Sequence, residues 1–299
     1  MNSESFRSER DSSKELLNRQ WSHYLGDQGD ENVRSFFYSQ RRRISGNTMM
    51  RHQELLQDLA LSLTEKWAIK TYTLDSNADV NNFLRYGTTT RSRFGKNHFP
   101  KGVDISPESP AARARQLAAI LKTFPSTGNV TLYRGGNGYS GTSGRHFRSG
   151  ALGPGDILVN NDFLSFTENP FTTASFAKIA EEETDDTSVI FQLSSHQSAK
   201  PIAPLSARIK QNEDESLYSP MHFFKIISVK TIDPIINGKV QPLVLVFIEE
   251  MPRTGHKLQI GGNGLAPEIT YGDRYFDFRS GEPFDYGSAI ARLTADEEQ

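Results

Sequence analysis

Residues 211–229 read Gln211-Asn212-Glu213-Asp214-Glu215-Ser216-Leu217-Tyr218-Ser219-Pro220, followed by Met221-His222-Phe223-Phe224-Lys225-Ile226-Ile227-Ser228-Val229. This acidic loop leads into two apolar segments that are typical of β-strands, with Ser219-Pro220 as the turn between them. Alternate side chains of a strand share a face, so Glu213 and Glu215 are predicted to point to one side and Asp214 to the other. Two residues of extended chain span about 6.5–7 Å, so both carboxylates can address one small substrate. A short acidic run is more often a solvated loop, and other segments decide between these interpretations.

The composition is that of a globular chain with little capacity for metal or thiol chemistry. Its 299 residues suffice for one large or two modest domains, and 36% hydrophobic content argues against overall disorder. The net charge of -2 argues against a dedicated nucleic-acid-binding domain. There is no cysteine and no zinc-type histidine spacing, so no metal site is predicted. No apolar run approaches the ~20 residues of a membrane span, and the N-terminus lacks the apolar core of a Sec signal peptide.

The first half of the chain is predicted to be helical. Residues 1–46 are a polar and partly helical region, predicted to be partly disordered. One amphipathic helix is predicted between Arg51 and Lys70 from apolar residues at helical spacing, namely Leu55, Leu56, Leu59, Leu63 and Trp67. Thr71-Tyr72-Thr73 is expected to interrupt it, before a second helix that carries Val80, Phe83 and Leu84. A third helix is predicted to begin at Pro110, with Ser109 as its N-cap.

The second half has the period of strands. One strand ends at Arg134 before a glycine-rich segment, but no Gly-Lys-Ser/Thr follows, so a phosphate-binding P-loop is excluded. The strand Asp162–Thr167 is predicted to place Ser165 and Thr167 on one face and Phe166 in the core. Further strands are predicted at Thr187–Leu193, Phe223–Val229 and Val240–Ile248, the last one central and buried. Helices followed by strands predict an α+β fold with mainly antiparallel sheets.

Three features follow one another along the chain, each at a strand: Leu132-Tyr133-Arg134-Gly135, Phe163-Leu164-Ser165-Phe166-Thr167 and Glu213-Asp214-Glu215. Their order resembles the arginine–serine–glutamate, cholera-toxin-like class of mono-ADP-ribosyltransferases, found among bacterial toxins and effectors. The resemblance covers roughly Arg51 to Glu250 and includes Tyr72-Thr73 with Asn81-Asn82-Phe83-Leu84-Arg85, and Thr167-Glu168-Asn169-Pro170 with Ala174-Ser175-Phe176-Ala177. The family usually has Ser-Thr-Ser where this chain has Ser165-Phe166-Thr167, but both hydroxyls on the site face remain.

The resemblance implies a fold and a division of the chain. A helical N-terminal part would precede a mainly antiparallel two-sheet ADP-ribosyltransferase core. The polar region 1–46 would be followed by a catalytic domain at 47–251 and a C-terminal extension at 252–299.

The resemblance also implies how NAD would be cleaved. Arg134 would hold the NAD diphosphate or the nicotinamide ribose. Ser165 would orient Glu215, which would bond the ribose 2′-OH and stabilise the oxocarbenium-like cation as nicotinamide leaves. Glu213 would position or deprotonate the acceptor side chain. We expect like charge to raise the pKa of at least one of the two glutamates.

Four further residues are implied at the NAD site, three of them around the nicotinamide. Gly135 would meet its amide through the backbone, and Thr167 would share the site face of its strand with the serine hydroxyl. Phe163 or Phe171 would stack on the ring, with a buried core position as the alternative for either.

The implied activity is NAD-dependent mono-ADP-ribosylation of a host protein, with NAD as co-substrate and without a metal. In this class a Glu-x-Glu pair usually accompanies an arginine acceptor, but some effectors modify threonine, including threonine on ubiquitin. The implied location is the host cytosol, after secretion by a specialised non-Sec system. Two alternatives remain, a NAD glycohydrolase and a non-catalytic protein-binding module on the same fold. A two-carboxylate glycosidase would leave Arg134 and Ser165 without a role.

Overall fold

The computed structural model describes residues 44–87, 109–138, 142, 144–177, 187–207, 213–232, 235–236, 239–240, 242–251, 256–258, 264–266 and 274–294. Residues 1–43, which make up most of the predicted polar region 1–46, lie outside this set, as does much of the predicted extension 252–299. No helix within the described residues is long and apolar enough to cross a bilayer.

Helices dominate the N-terminal part. Helix α1 covers 44–56 and is followed by α2 (Leu63–Thr71), a π-helical turn (Tyr72–Ser76), α3 (Asn77–Tyr86) and α4 (Pro110–Lys122). The prediction of one helix between Arg51 and Lys70 is wrong, because a capping box starts a new helix at Ser62. The Ser62 side chain accepts from the Glu65 N–H, and the Glu65 side chain accepts from the Ser62 N–H. The predicted interruption at Thr71-Tyr72-Thr73 is confirmed, because α2 ends at Thr71 and a π-helical turn that begins at Tyr72 leads into α3.

The remaining elements are, in chain order, β1 (Leu132–Gly136), α5 (Arg145–Arg148), β2 (Ile157–Val159), β3 (Leu164–Thr167), α6 (Pro170–Phe176), β4 (Ser188–Ser195), β5 (Lys200–Pro201), a 3₁₀ turn (Ala203–Leu205), β6 (Glu215–Tyr218), β7 (Phe223–Ile232), β8 (Ile235–Ile236), β9 (Lys239–Val240), β10 (Leu243–Glu250), β11 (His256–Leu258), β12 (Gly264–Ala266), β13 (Tyr275–Asp277) and α7 (Tyr286–Thr294). The main sheet has the order β13-β2-β7-β10-β4-β1-β3-β6-β5. All of its neighbours are antiparallel except β4 with β10 and β2 with β13. The mainly antiparallel α+β fold and the central position of β10 are therefore confirmed.

The main sheet is nearly divided between β1 and β3. Strand β1 pairs with β4 along its whole length, but with β3 only at Tyr133 opposite Thr167. One part thus runs from β13 to β1, and the other contains β3, β6 and β5. The two-sheet core that the resemblance implied is therefore one nine-stranded sheet that is nearly divided in two at this junction. Arg134 of β1 lies beside Ser165 of β3 at the same place.

Each face of the sheet carries a hydrophobic core. The first core joins the helices to the sheet, and the second core lies on the other face; neighbouring Phe223 and Phe224 point into the first and the second respectively. The second core is built from buried residues of several strands, including Leu132, Phe166, Phe191 and Val246, and from Phe278 in the turn after β13.

The C-terminal segment belongs to this fold. Strand β13 extends the sheet beside β2, Phe278 is 1% exposed in the second core, and Leu293 of α7 lies in the first core. Residues 274–294 of the predicted extension 252–299 therefore complete the main sheet and both cores rather than following them, while β11 and β12 form a separate two-stranded sheet. At the other end, helix α1 crosses the predicted boundary between residues 46 and 47. The domain limits otherwise stay predictions.

Candidate active site

Three distant segments meet at the junction of β1, β3 and β6. The Ser165 hydroxyl donates to Glu215 Oε1 at 2.7 Å, and Arg134 Nη1 donates to the Ser165 carbonyl at 2.7 Å. Pairing of β3 with β6 places Glu215 opposite Thr167. Glu215 is only 8% exposed, so the hydroxyl donor stabilises a largely desolvated carboxylate. The structure thus brings together the arginine, the serine and the second glutamate of the predicted site.

The acidic loop is built differently from the predicted strand. Strand β6 begins only at Glu215, and Asp214 has a positive φ of 50°, so strand alternation does not apply to residues 213–215. Asp214 is 3% exposed, and its carboxylate accepts from Ser45 Oγ at 2.6 Å and from Asn169 Nδ2 at 2.9 Å. The half-buried Glu213 directly precedes this anchored residue. The raised glutamate pKa stays a prediction.

The loop after β3 is held by its own side chains and by α1. Thr167 Oγ1 accepts from the Asn169 N–H at 3.0 Å, and Asn169 Oδ1 accepts from the Phe171 N–H at 3.1 Å, which opens α6 as predicted. Glu168 contacts Arg51 and accepts from His52 Nε2 at 2.8 Å. The Thr167 hydroxyl therefore shapes the turn that follows the strand.

The residues expected around the nicotinamide are tightly packed. A Cβ at Gly135 would lie 2.1 Å from the Thr173 carbonyl oxygen, so glycine lets α6 approach β1. Phe163 is 0% exposed and meets the Tyr72 ring edge-on at 5.5 Å, and Phe171 is 3% exposed. Either phenylalanine ring would have to move out of its buried position to stack on nicotinamide. This conformation therefore favours the alternative that both are core residues.

A second group of polar residues lies beside the first, and most of it was not predicted. Asp162 is 0% exposed, and its Oδ2 accepts from Arg279 Nε at 2.7 Å and from Arg85 Nε at 3.0 Å. The Asn81 amide donates to the Tyr72 hydroxyl at 3.1 Å and to the Phe163 carbonyl at 3.3 Å. Burial raises the pKa of Tyr72 above its usual range, and the charges of Glu215 and Asp162 raise it further.

The sequence held only part of the signal for this group. Tyr72, Asn81 and Arg85 lie in the helical segment that resembles the ADP-ribosyltransferases, so the sequence could have indicated that they belong to the site. Asp162 and Arg279 carry no motif, and Arg279 falls in the segment predicted as an extension.

Arg134 is a poorly compensated cation. Burial first, and then repulsion from Arg279, lower the pKa of the Arg134 guanidinium to about 9, although Asp162 acts in the opposite direction. Its only hydrogen bond among the described residues goes to a neutral carbonyl, and its buried Nε has no partner there. A nearby anion would stabilise this charge. Within the described residues no cluster of acidic and histidine side chains could hold a metal ion.

No protein-family model and no curated protein match this sequence. Among solved structures, the ADP-ribosyltransferase Vis in complex with agmatine is 17% identical with a TM-score of 0.55, covering 82% of this chain and 94% of that chain. The Vis toxin from Vibrio splendidus is 17% identical with a TM-score of 0.51, covering 87% of this chain and 96% of that chain. Vis in complex with the M6 inhibitor has a TM-score of 0.50 at 16% identity, with 87% and 96% covered. The chain therefore has the fold of the ADP-ribosyltransferase toxins.

Proposed function

We propose that this chain is an NAD-dependent mono-ADP-ribosyltransferase, which moves ADP-ribose from NAD to a protein side chain and releases nicotinamide. The observation that carries the proposal is the hydrogen-bonded series Arg134–Ser165–Glu215 at the junction of the sheet. Its place in a fold shared with ADP-ribosyltransferase toxins supports it. NAD is the co-substrate, and no step needs a metal.

The reaction breaks the bond between nicotinamide and ribose. The electron pair of that bond leaves with nicotinamide, and positive charge develops on the ribose. Glu215, oriented by the Ser165 hydroxyl, stabilises this charge and accepts a hydrogen bond from the ribose 2′-OH. The guanidinium of Arg134 binds phosphate oxygens of the dinucleotide. The acceptor then attacks the ribose carbon, and its proton passes to Glu213.

Arginine is the proposed acceptor side chain. Vis, which shares the fold, has been solved with agmatine, a small guanidine. A guanidinium becomes a nucleophile only after losing a proton, and Glu213, two residues before Glu215, is the base that the proposal assigns. Threonine, including threonine on ubiquitin, is the second candidate acceptor. Host proteins are the proposed targets, reached in the host cytosol after secretion.

The test is NAD turnover with and without an acceptor. Wild type, Glu215→Gln and Glu213→Gln are incubated with labelled NAD and either agmatine or host lysate, and products are mapped by mass spectrometry. We expect Glu215→Gln to lose about 10²–10³-fold in both nicotinamide release and labelling. Glu213→Gln should keep NAD hydrolysis and lose transfer. Glu249→Gln, at an exposed carboxylate of β10, is the matched control.

Two results favour the alternatives. Nicotinamide release that no acceptor accelerates or redirects would make the chain a NAD glycohydrolase. Failure of the wild-type protein to bind NAD would leave a non-catalytic binding module.

A further inference from the structure

Arg279 reaches the candidate site from a rigid turn at the C-terminal end of the chain. Asp277 Oδ1 accepts from the backbone N–H groups of Arg279 at 3.0 Å and Ser280 at 2.7 Å. Phe278, between Asp277 and Arg279 in the sequence, is buried in the second core with its ring 4.6 Å from that of Phe191. The residue before Arg279 is thus fixed in the core, while the arginine side chain points back to Asp162.

The protein uses only one side of each guanidinium in this group. Arg279 donates through Nε to Asp162 and through Nη2 to the Phe163 carbonyl at 3.3 Å, and Arg85 donates through Nε to the same Asp162 oxygen and to the Asn81 carbonyl. Nη1 of Arg279 and both Nη atoms of Arg85 have no partner among the described residues. The side chain of Arg279 is 12% exposed and that of Arg85 is 17% exposed. None of their nitrogens is both buried and without a hydrogen-bond partner, so these Nη atoms reach solvent.

The positive charge of Arg134 is not balanced by a carboxylate within this group of residues. Asp162 is the carboxylate bonded to both Arg85 and Arg279, and Arg134 has no carboxylate partner among the described residues. Two further carboxylates near this group are engaged elsewhere, Glu215 with Ser165 and Asp277 in its own turn. Guanidinium groups that present paired N–H donors match phosphate oxygens in geometry and charge.

We propose that Arg279, held beside Arg85 by Asp162, binds the diphosphate of NAD together with Arg134. The C-terminal segment then supplies a substrate-binding residue, and Asp162 is the positioning residue that aligns two guanidiniums for one anion. This inference rests on the proposed function, and it adds to it a residue that neither the motif order nor the fold assigns.

The experiment compares Arg279→Gln with Arg274→Gln in the full chain. Arg274 lies in the same segment, but it pairs with Asp156 and its side chain is 59% exposed, so it is the matched control. Calorimetry would measure affinity for NAD, ADP-ribose and inorganic pyrophosphate, and for adenosine, which lacks phosphate. We expect Arg279→Gln to weaken the three phosphate-containing ligands about 10- to 100-fold and to leave adenosine unchanged. Arg274→Gln should match wild type for all four.

Arg279→Lys keeps the proposal testable if the glutamine variant does not fold. Lysine keeps the charge but loses the paired donors, so the NAD affinity should fall between those of wild type and Arg279→Gln. Wild-type affinity for NAD in both variants would overturn the inference, as would an equal loss for NAD and adenosine. Pyrophosphate binding that depends on Arg279, in a protein that does not bind NAD, would contradict the proposed function and leave the anion site standing.

Discussion

Gly135 lies where helix α6 crosses strand β1, and helix backbone occupies the space that a side chain would need. A Cβ there would lie 2.1 Å from the Thr173 carbonyl oxygen and 3.0 Å from the Ala177 nitrogen. Backbone atoms cannot rotate away as a flexible side chain can. We therefore expect Gly135→Ala to lower the free energy of unfolding by about 1–3 kcal/mol or more, measured by urea denaturation.

Gly153 is the matched control for this substitution. A Cβ at Gly153 would have no heavy atom within 4 Å, and its φ is not in the left-handed region. Gly153→Ala should therefore change stability by about 0.5 kcal/mol or less. Equal stability of the two alanine variants would contradict the close packing of α6 on β1.

His52 gives the protein an acid-sensitive contact at the residue scale. Its ring is fully buried against Glu168, and burial followed by the charge of Arg51 lowers the pKa of His52 to about 3. Between pH 6.5 and about 3 the unfolded chain binds a proton that the folded chain does not, so stability falls as the pH decreases through this window. The effect at this buried site is on the order of a few kcal/mol.

His52→Gln should reduce this acid sensitivity. Glutamine can still donate to Glu168 but does not titrate. Urea denaturation at about pH 7 and about pH 4.5 would therefore show a smaller stability difference in the variant than in wild type. The same pH dependence in both proteins would mean that other groups account for the loss of stability at acidic pH.

A candidate site residue could be predicted where its neighbours in the sequence form a characteristic pattern. Arg134, Ser165 and Glu215 each stand at a strand with a characteristic neighbour pattern, and the structure brings them together. Asp162 and Arg279 depend on a contact between residues 117 positions apart, and no local pattern encodes such a pairing. The inward orientation of Asp214 was missed for a related reason, because its positive φ interrupts strand alternation.

At the scale of elements, helix α1 connects the acidic loop before β6 with the loop after β3, and both loops flank the candidate site. Ser45 donates to Asp214 in the acidic loop, while Arg51 and His52 contact Glu168 in the loop after β3. The Asn169 amide joins the two loops through Asp214. The helix is therefore part of the framework that positions the acidic loop.

Ser45→Ala tests this function of α1. Removing a hydrogen bond to a buried carboxylate should lower stability by about 1–3 kcal/mol. Because Asp214 adjoins both glutamates and Glu213 lies outside the strand, we expect transfer to an acceptor to fall more than NAD hydrolysis. The measurement is the ratio of acceptor labelling to nicotinamide release.

Ser62→Ala is the control at this scale. Ser62 caps α2, so its loss should lower stability by about 1 kcal/mol, but within the described part of the chain its side chain bonds only to Glu65 of the same helix. Its ratio of labelling to release should equal that of wild type. A ratio that shifts equally in both variants would assign the effect to general destabilisation.

Elements with strong local signals were predicted well, and their connections less so. The N-cap Ser109 and Pro110 define the start of α4 as expected. The leucine spacing across residues 55–67 suggested one helix, because periodicity alone does not register the capping box at Ser62. The parallel pairing of β13 with β2 joins segments more than a hundred residues apart, which periodicity cannot reveal.

At the scale of the whole molecule, residues near both ends of the described chain contribute to the cores and to the candidate site. The predicted catalytic domain 47–251 excludes Ser45 at one end and Phe278 and Arg279 at the other. It also excludes the β13 strand and the buried Leu293 of α7. Truncating a single buried phenylalanine typically costs about 3–5 kcal/mol, against a total stability of roughly 5–15 kcal/mol for a domain.

We therefore expect a fragment of residues 47–251 to lack cooperative unfolding and NAD binding, and a fragment of residues 44–294 to retain both. The shorter fragment leaves the second core open where Phe278 packs, exposes the edge of β2, and loses the guanidinium that we assign to the diphosphate. Thermal unfolding and NAD calorimetry on the two fragments would measure the difference. Cooperative unfolding with wild-type NAD affinity in the 47–251 fragment would show that the C-terminal segment is an accessory after all, and it would remove Arg279 from the binding site in the same experiment.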